Sequence, residues 1–81
     1  MYTVYVIVQK RPIDYSEPLK PTKIFRFKTY EEARAKSQEE QDLFFNRVGD
    51  YNYSILRATM KLFYALSKNT GEFIHIEIVE N

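Results

Sequence analysis

Few side chains in this sequence could carry out acid–base or nucleophilic chemistry, and they are spread along the chain. His75 is the single histidine and cysteine is absent, whereas catalysis near neutral pH commonly recruits one of these two residue types. Paired carboxylates occur at Glu31-Glu32 and Glu39-Glu40. Successive positions on a helix diverge by about 100°, so such pairs do not converge on one substrate. These patterns predict a protein that is not an enzyme.

The residues that would bind a metal or a cofactor are also missing from the sequence. A zinc site needs several nitrogen or sulfur ligands at short spacings, and one histidine without cysteine does not supply them. Gly49 and Gly71 are the only glycines, which excludes a glycine-rich phosphate-binding loop. We therefore expect neither a metal nor a cofactor.

Length and charge limit the classes of partner. The 81 residues predict one domain over residues 1–81. Twelve basic residues against eleven acidic ones give a net charge of +1, too balanced for a strongly basic nucleic-acid binder. No apolar run approaches the roughly 20 residues that cross a bilayer, and the first residues do not resemble a signal peptide. We expect a cytoplasmic protein without a membrane partner, and the absence of cysteine fits a reducing compartment.

Apolar residues alternate with polar ones in four segments, which predicts four β-strands. The segments are residues 2–10, 22–28, 53–66 and 73–79. In the third segment Leu56, Met60 and Phe63 also satisfy a helical spacing, so a helix over 53–66 remains an alternative.

One helix is predicted between the second and third strands. Thr29-Tyr30-Glu31-Glu32 matches a capping box, in which the Thr29 hydroxyl accepts from the Glu32 amide. Residues 30–47 are rich in strong helix formers, and Gly49 is a typical C-terminal stop. The order ββαββ predicts an α+β domain, with a four-stranded antiparallel sheet and one helix packed on one face.

A single helix covers only one face of such a sheet, and the other is called the open face below. Beneath the helix the alternation places Val4, Val6, Val8, Phe25, Phe27, Leu56, Met60, Leu62, Ile74, Ile76 and Ile78. The open face then collects Tyr5, Ile7, Arg26, Lys28, Arg57, Lys61, Phe63, Phe73 and His75. Soluble monomers rarely leave large apolar patches uncovered, so we expect this aromatic and basic face to bind a macromolecule.

All three prolines, Pro12, Pro18 and Pro21, fall within residues 11–22, called the proline loop below. Proline lacks an amide donor and fixes φ, so this segment is predicted to be neither strand nor helix. Ile13 and Tyr15 lie in it as possible contact residues. The loop either docks on a partner or caps the open face.

Three interpretations of the open face follow. In the first, it binds a protein, either a different chain or a second copy in a homodimer, because Tyr, Phe and Arg dominate protein interfaces. In the second, it binds single-stranded RNA or DNA by stacking bases on its aromatic residues. In the third, the strand register differs or the proline loop covers the face.

We predict the first interpretation, a non-catalytic protein-binding module. In size and cysteine-free composition the chain is similar to inhibitor and accessory proteins of phages and mobile elements, a likeness that no motif carries.

Overall fold

The structure, a computed structural model that describes residues 1–49 and 52–81, is an antiparallel sheet with one helix across one face. Its elements are β1 (Tyr2–Gln9), β2 (Lys23–Phe27), α1 (Tyr30–Val48), β3 (Tyr53–Ala58), β4 (Leu62–Ser67) and β5 (Phe73–Glu80). The sheet order is β2-β1-β5-β4-β3. The α+β class and the antiparallel sheet are confirmed, but the predicted four strands are wrong because the sheet has five.

The fifth strand arises because the predicted strand over residues 53–66 is a hairpin. Thr59 closes it: its hydroxyl accepts from the amides of Lys61 at 3.2 Å and Leu62 at 3.0 Å, and its own amide donates to the Leu62 carbonyl. A threonine side chain thus replaces the glycine, proline or asparagine that usually marks a turn. The apolar alternation runs through this turn, so the pattern alone did not reveal it.

Because of the hairpin, several side chains of residues 53–66 lie on the opposite face of the sheet from the one predicted. Phe63 pairs with Ile76 and Ala65 pairs with Ile74, which places Phe63 on the helix face in the buried core and not on the open face. Leu62 instead belongs to the open face, and Leu56 and Met60 are exposed and not beneath the helix. A register shift between Ile55 and Arg57 adds to the difference, because a bulge reverses the alternation on one side of it.

Elsewhere the predicted faces are confirmed, because strand periodicity alone determines them. β1 and β5 pair along their full lengths at the centre of the sheet. The core on their helix side consists of Val4, Val6, Ile74, Ile76 and Ile78, joined by the partly buried Val8, Phe25 and Phe27.

α1 begins and ends at the predicted signals. The Thr29 hydroxyl accepts from the Glu32 amide at 3.3 Å, and Gly49 follows the helix with a φ of 79°, a value that glycine adopts without strain. Ala33 and Phe44 bury the inner face of the helix against the sheet. Within residues 1–49 and 52–81, no helix combines the length and the apolar character that crossing a membrane requires.

α1 packs on β2, β1 and β5. Its contacts with the β3–β4 hairpin involve side chains near the two helix ends. The Tyr30 hydroxyl and Arg34 Nη1 donate to the Met60 carbonyl at 2.8 and 2.9 Å, and Phe45 stacks against Tyr53 with ring centroids 4.4 Å apart. The hairpin is therefore held to the helix at two points.

We predict that Ile76→Ala lowers the free energy of unfolding by about 3 kcal/mol, because it leaves a cavity in the core. Ile76 is 1% exposed. Ile24→Ala on the edge strand β2 is the control and should cost less than about 1 kcal/mol, since Ile24 is 50% exposed. Urea denaturation measures both values, and equal losses would contradict this description of the core.

Candidate functional site

The centre of the open face is built from three neighbouring strands. His75 on β5 lies between Ile7 on β1 and Tyr64 on β4 in the strand register. The sequence predicts His75 on this face, and the register agrees. His75 is nevertheless only 1% exposed, so something covers it.

The cover is the proline loop. Ile13 is buried, and its amide donates to the Tyr64 hydroxyl at 3.1 Å. The Tyr15 hydroxyl lies 2.8 Å from His75 Nδ1, and the Tyr15 ring packs edge-on against Tyr64 with centroids 6.1 Å apart. Of the two roles considered for the loop, these contacts correspond to capping the open face.

A local turn shapes the loop for this contact. Asp14 Oδ1 accepts from the Ser16 amide at 2.9 Å and from its hydroxyl at 2.6 Å. These bonds hold the pKa of Asp14 below its ordinary value. An aspartate bonded two residues ahead forms a stable turn, which projects Ile13 and Tyr15 to the sheet.

The environment of His75 favours the neutral form of its ring. Burial lowers the pKa of His75, and the Glu77 carboxylate acts in the opposite direction. Glu77 Oε1 lies 3.6 Å from Nε2, which makes no hydrogen bond. Because the Glu77 carboxylate lies beside Nε2, we assign the ring proton of His75 to Nε2. The Tyr15 hydroxyl then donates its hydrogen bond to Nδ1. His75 therefore contributes to the attachment of the proline loop, which covers its ring.

The remaining predicted binding residues do not form one surface. Tyr5 and Phe73 are half-buried on the open face, Arg26 and Lys28 are exposed at the β2 edge of the sheet, and Arg57 and Lys61 are exposed on the β3–β4 hairpin. Phe63 lies under the helix. The aromatic residues are thus mostly covered, and the basic residues are divided between opposite edges.

Sequence reasoning missed a group of exposed apolar side chains that lies along β3 and the turn after it. Ile55, Leu56 and Met60 are 53%, 50% and 70% exposed, respectively, and Tyr53 is also exposed. We call these four residues and the outer side of β3 the β3 edge. The position of β3 at the end of the sheet leaves this surface uncovered, and no local pattern reveals sheet order.

The β3 edge also presents backbone groups. The Lys68 amide donates to the Asn52 carbonyl at 2.8 Å. In an antiparallel ladder this bond directs the N–H and C=O groups of Tyr53 and Ile55 away from β4. No described strand lies beyond β3, so an added strand could pair with these groups.

A groove between α1 and β1 is another candidate site. It measures about 320 Å³ and is lined by Val6, Val8, Leu43 and Phe44, with charged groups at its rim. Those groups are already paired: Lys23 with Glu40 at 2.9 Å, and Arg47 with both carboxylate oxygens of Glu72. The groove therefore offers a ligand little polar recognition.

Among residues 1–49 and 52–81, no three histidine, aspartate or glutamate side chains cluster as metal ligands do. Comparison of the chain with protein-family models, with curated proteins and with solved structures gave no match. The geometry of the chain itself is therefore the basis for assigning a function.

We predict that Tyr15→Phe lowers the free energy of unfolding by about 1 kcal/mol, because it removes the hydrogen bond to His75. Tyr15→Ala also uncovers His75 and Tyr64 and should cost about 2 kcal/mol. Thermal and urea unfolding measure the losses, with Leu19→Ala in the same loop as the control. Unchanged stability in Tyr15→Ala would show that the loop does not cap the sheet.

The free energy of unfolding should fall as the pH drops below about 6.5, the ordinary pKa of histidine. The pKa of His75 is lowered in the folded state, so the unfolded state binds more protons in this range. Asp14 and Glu72, whose pKa values are also lowered, act only below their ordinary values of 3.8 and 4.5.

Urea unfolding at a series of pH values between 5 and 7.5 measures this dependence. His75→Gln should remove most of the slope, whatever its effect on stability at pH 7.5. An unchanged slope in the variant would assign the dependence to another group.

Proposed function

We propose that this protein is a non-catalytic module that binds another protein by adding an extended segment of that partner to the β3 edge as a sixth strand. The observation that supports the proposal is the combination of outward backbone groups at Tyr53 and Ile55 with exposed apolar side chains on the same strand. Peptide recognition by strand addition uses such an edge, since backbone bonds give affinity and alternate side chains give specificity.

The two edges of the sheet differ in how they are protected. At the β2 edge, Lys23 and Arg26 lie within a five-residue strand that Pro21 precedes, and lysine and proline are common devices against strand pairing. β3 carries a bulge after Ile55 and one charge, Arg57. The stretch from Tyr53 to Ile55 has no such protection.

A different protein fits the β3 edge better than a second copy of this chain. Residues 18–30, which contain β2, hold four basic residues and no acidic one, and residues 52–71, which contain β3 and β4, hold three and none. Any edge-to-edge pairing of two copies therefore brings like charges together, which destabilises a strand pair. The closed proline loop also leaves less of the open face for the homodimer that the sequence suggested.

Single-stranded nucleic acid is the less favoured partner. Its recognition on a sheet requires exposed aromatic rings beside basic residues. Phe63 lies beneath the helix and His75 beneath Tyr15. Tyr53 is exposed, but it stacks on Phe45 on the helix side of the sheet, whereas Arg57 pairs in register with Tyr64 on the open face.

An inhibitor or accessory role in the cytoplasm fits this mode of binding. A small module that pairs with an extended segment of its target blocks that segment from other partners. The cysteine-free sequence suits a reducing compartment.

The proposal is tested by selecting a random twelve-residue peptide library against the immobilised chain, in parallel with a pool of single-stranded oligonucleotides. We expect enriched peptides that shift the NMR amide signals of residues 53–58. Ile55→Pro should weaken their binding at least about tenfold, because it removes an outward N–H without removing a β3–β4 bond.

Ile55→Ala, which keeps the amide, is the matched control and should weaken binding less, and circular dichroism checks the fold of both variants. Enrichment of oligonucleotides alone would contradict the proposal. Peptides that shift the amide signals of the open face or of β2, and not those of residues 53–58, would also contradict the proposal.

A further inference from the structure

We infer that the partner segment is acidic, with apolar and carboxylate side chains in alternation. This inference rests on the proposed function and names the chemistry of the strand that the β3 edge accepts. It follows from the charges of the hairpin and from the two faces of β3.

The β3–β4 hairpin carries only positive charge. Arg57 lies near the end of β3, Lys61 lies in the turn that follows, and Lys68 lies at the opposite end, where its amide bonds Asn52. All three are exposed. Positive charge is thus present at both ends of a strand about 20 Å long.

These three cations are not neutralised by the described part of the chain. The ion pairs of lysine and arginine among residues 1–49 and 52–81 use Lys23, Lys36 and Arg47 and involve none of the hairpin cations. Acidic side chains on a partner would meet available positive charge here, and charge complementarity of this kind sets specificity and association rate.

The side chains of β3 determine the pattern of the added strand. Tyr53 and Ile55 face the helix side, as their partners Ser67 and Ala65 do, whereas Ser54 and Arg57 face the open side with Leu66 and Tyr64. Neighbouring strands pair side chains on the same face. The added strand therefore places apolar residues beside Ile55 and carboxylates beside Arg57.

Three blocked octapeptides test this inference: one alternates valine with glutamate, and the others carry glutamine or lysine in place of glutamate. Calorimetric titration at 0.1 M salt should show the glutamate peptide binding about five- to tenfold more tightly than the glutamine peptide, as expected for up to three exposed ion pairs. The difference should shrink at 1 M salt, where the Debye length falls from about 10 Å to about 3 Å.

Two charge variants provide the matched comparison. Arg57→Gln, Lys61→Gln and Lys68→Gln together should abolish the preference for glutamate over glutamine. The control variant combines Lys20→Gln, Arg26→Gln and Lys28→Gln, which remove the same charge from the β2 edge, four strand spacings or about 19 Å away. This variant should keep the preference for the glutamate peptide over the glutamine peptide. Thermal melting verifies that both variants fold.

The possible outcomes separate this inference from the proposed function. Equal binding of the glutamate and glutamine peptides, with amide shifts at residues 53–58, would overturn the acidic partner and leave strand addition intact. Amide shifts confined to residues 23–28, with loss of binding in the β2-edge variant, would overturn both. So would binding of none of the three peptides.

Discussion

The width of one helix is the constraint on which the rest of this structure depends. Strands lie about 4.8 Å apart, so the axes of five strands span about 19 Å, whereas a helix with its side chains is about 10–12 Å across. α1 packs on β2, β1 and β5, and its contacts with the β3–β4 hairpin come from side chains near its ends. Residues 1–49 and 52–81 contain no second helix for the remaining surfaces.

The surfaces that the helix leaves uncovered differ in what covers or protects them. The proline loop covers the centre of the open face through Ile13 and Tyr15, which buries His75 on β5. At one edge of the sheet, Lys23 and Arg26 on β2 and the preceding Pro21 disfavour the pairing of a further strand. Within the described part of the chain, the β3 edge has neither a cover nor a row of charges, and we propose it as the binding surface because its apolar side chains are exposed.

The cover over the open face depends on polar side chains, because a loop carries backbone groups that must be satisfied when buried. Tyr64 accepts from the Ile13 amide, and His75 bonds Tyr15. The attachment has a cost, since His75 Nε2 is buried without a hydrogen bond and an unsatisfied buried group is unfavourable. Attachment of the proline loop therefore leaves one polar atom of His75 without a partner.

Local patterns in the sequence determined the helix, the strands β1, β2 and β5, and the faces of β1 and β5. The capping box at Thr29 and the alternation of Val4, Val6, Ile74 and Ile76 depend on residues close in sequence. They therefore predict the same helix start and the same buried strand faces in any fold that buries one face of the sheet. The same reasoning identified the proline loop and placed His75 opposite the helix.

Tertiary structure alone decided the side on which Phe63 lies, the burial of His75 and the exposure of the β3 edge. The contact that buries His75 joins it to Tyr15, 60 residues away, and the position of Phe63 follows from a turn at Thr59 without glycine or proline. Sheet order placed β3 last. Each of these outcomes depends on which distant segments meet, and alternation along one strand carries no information about that.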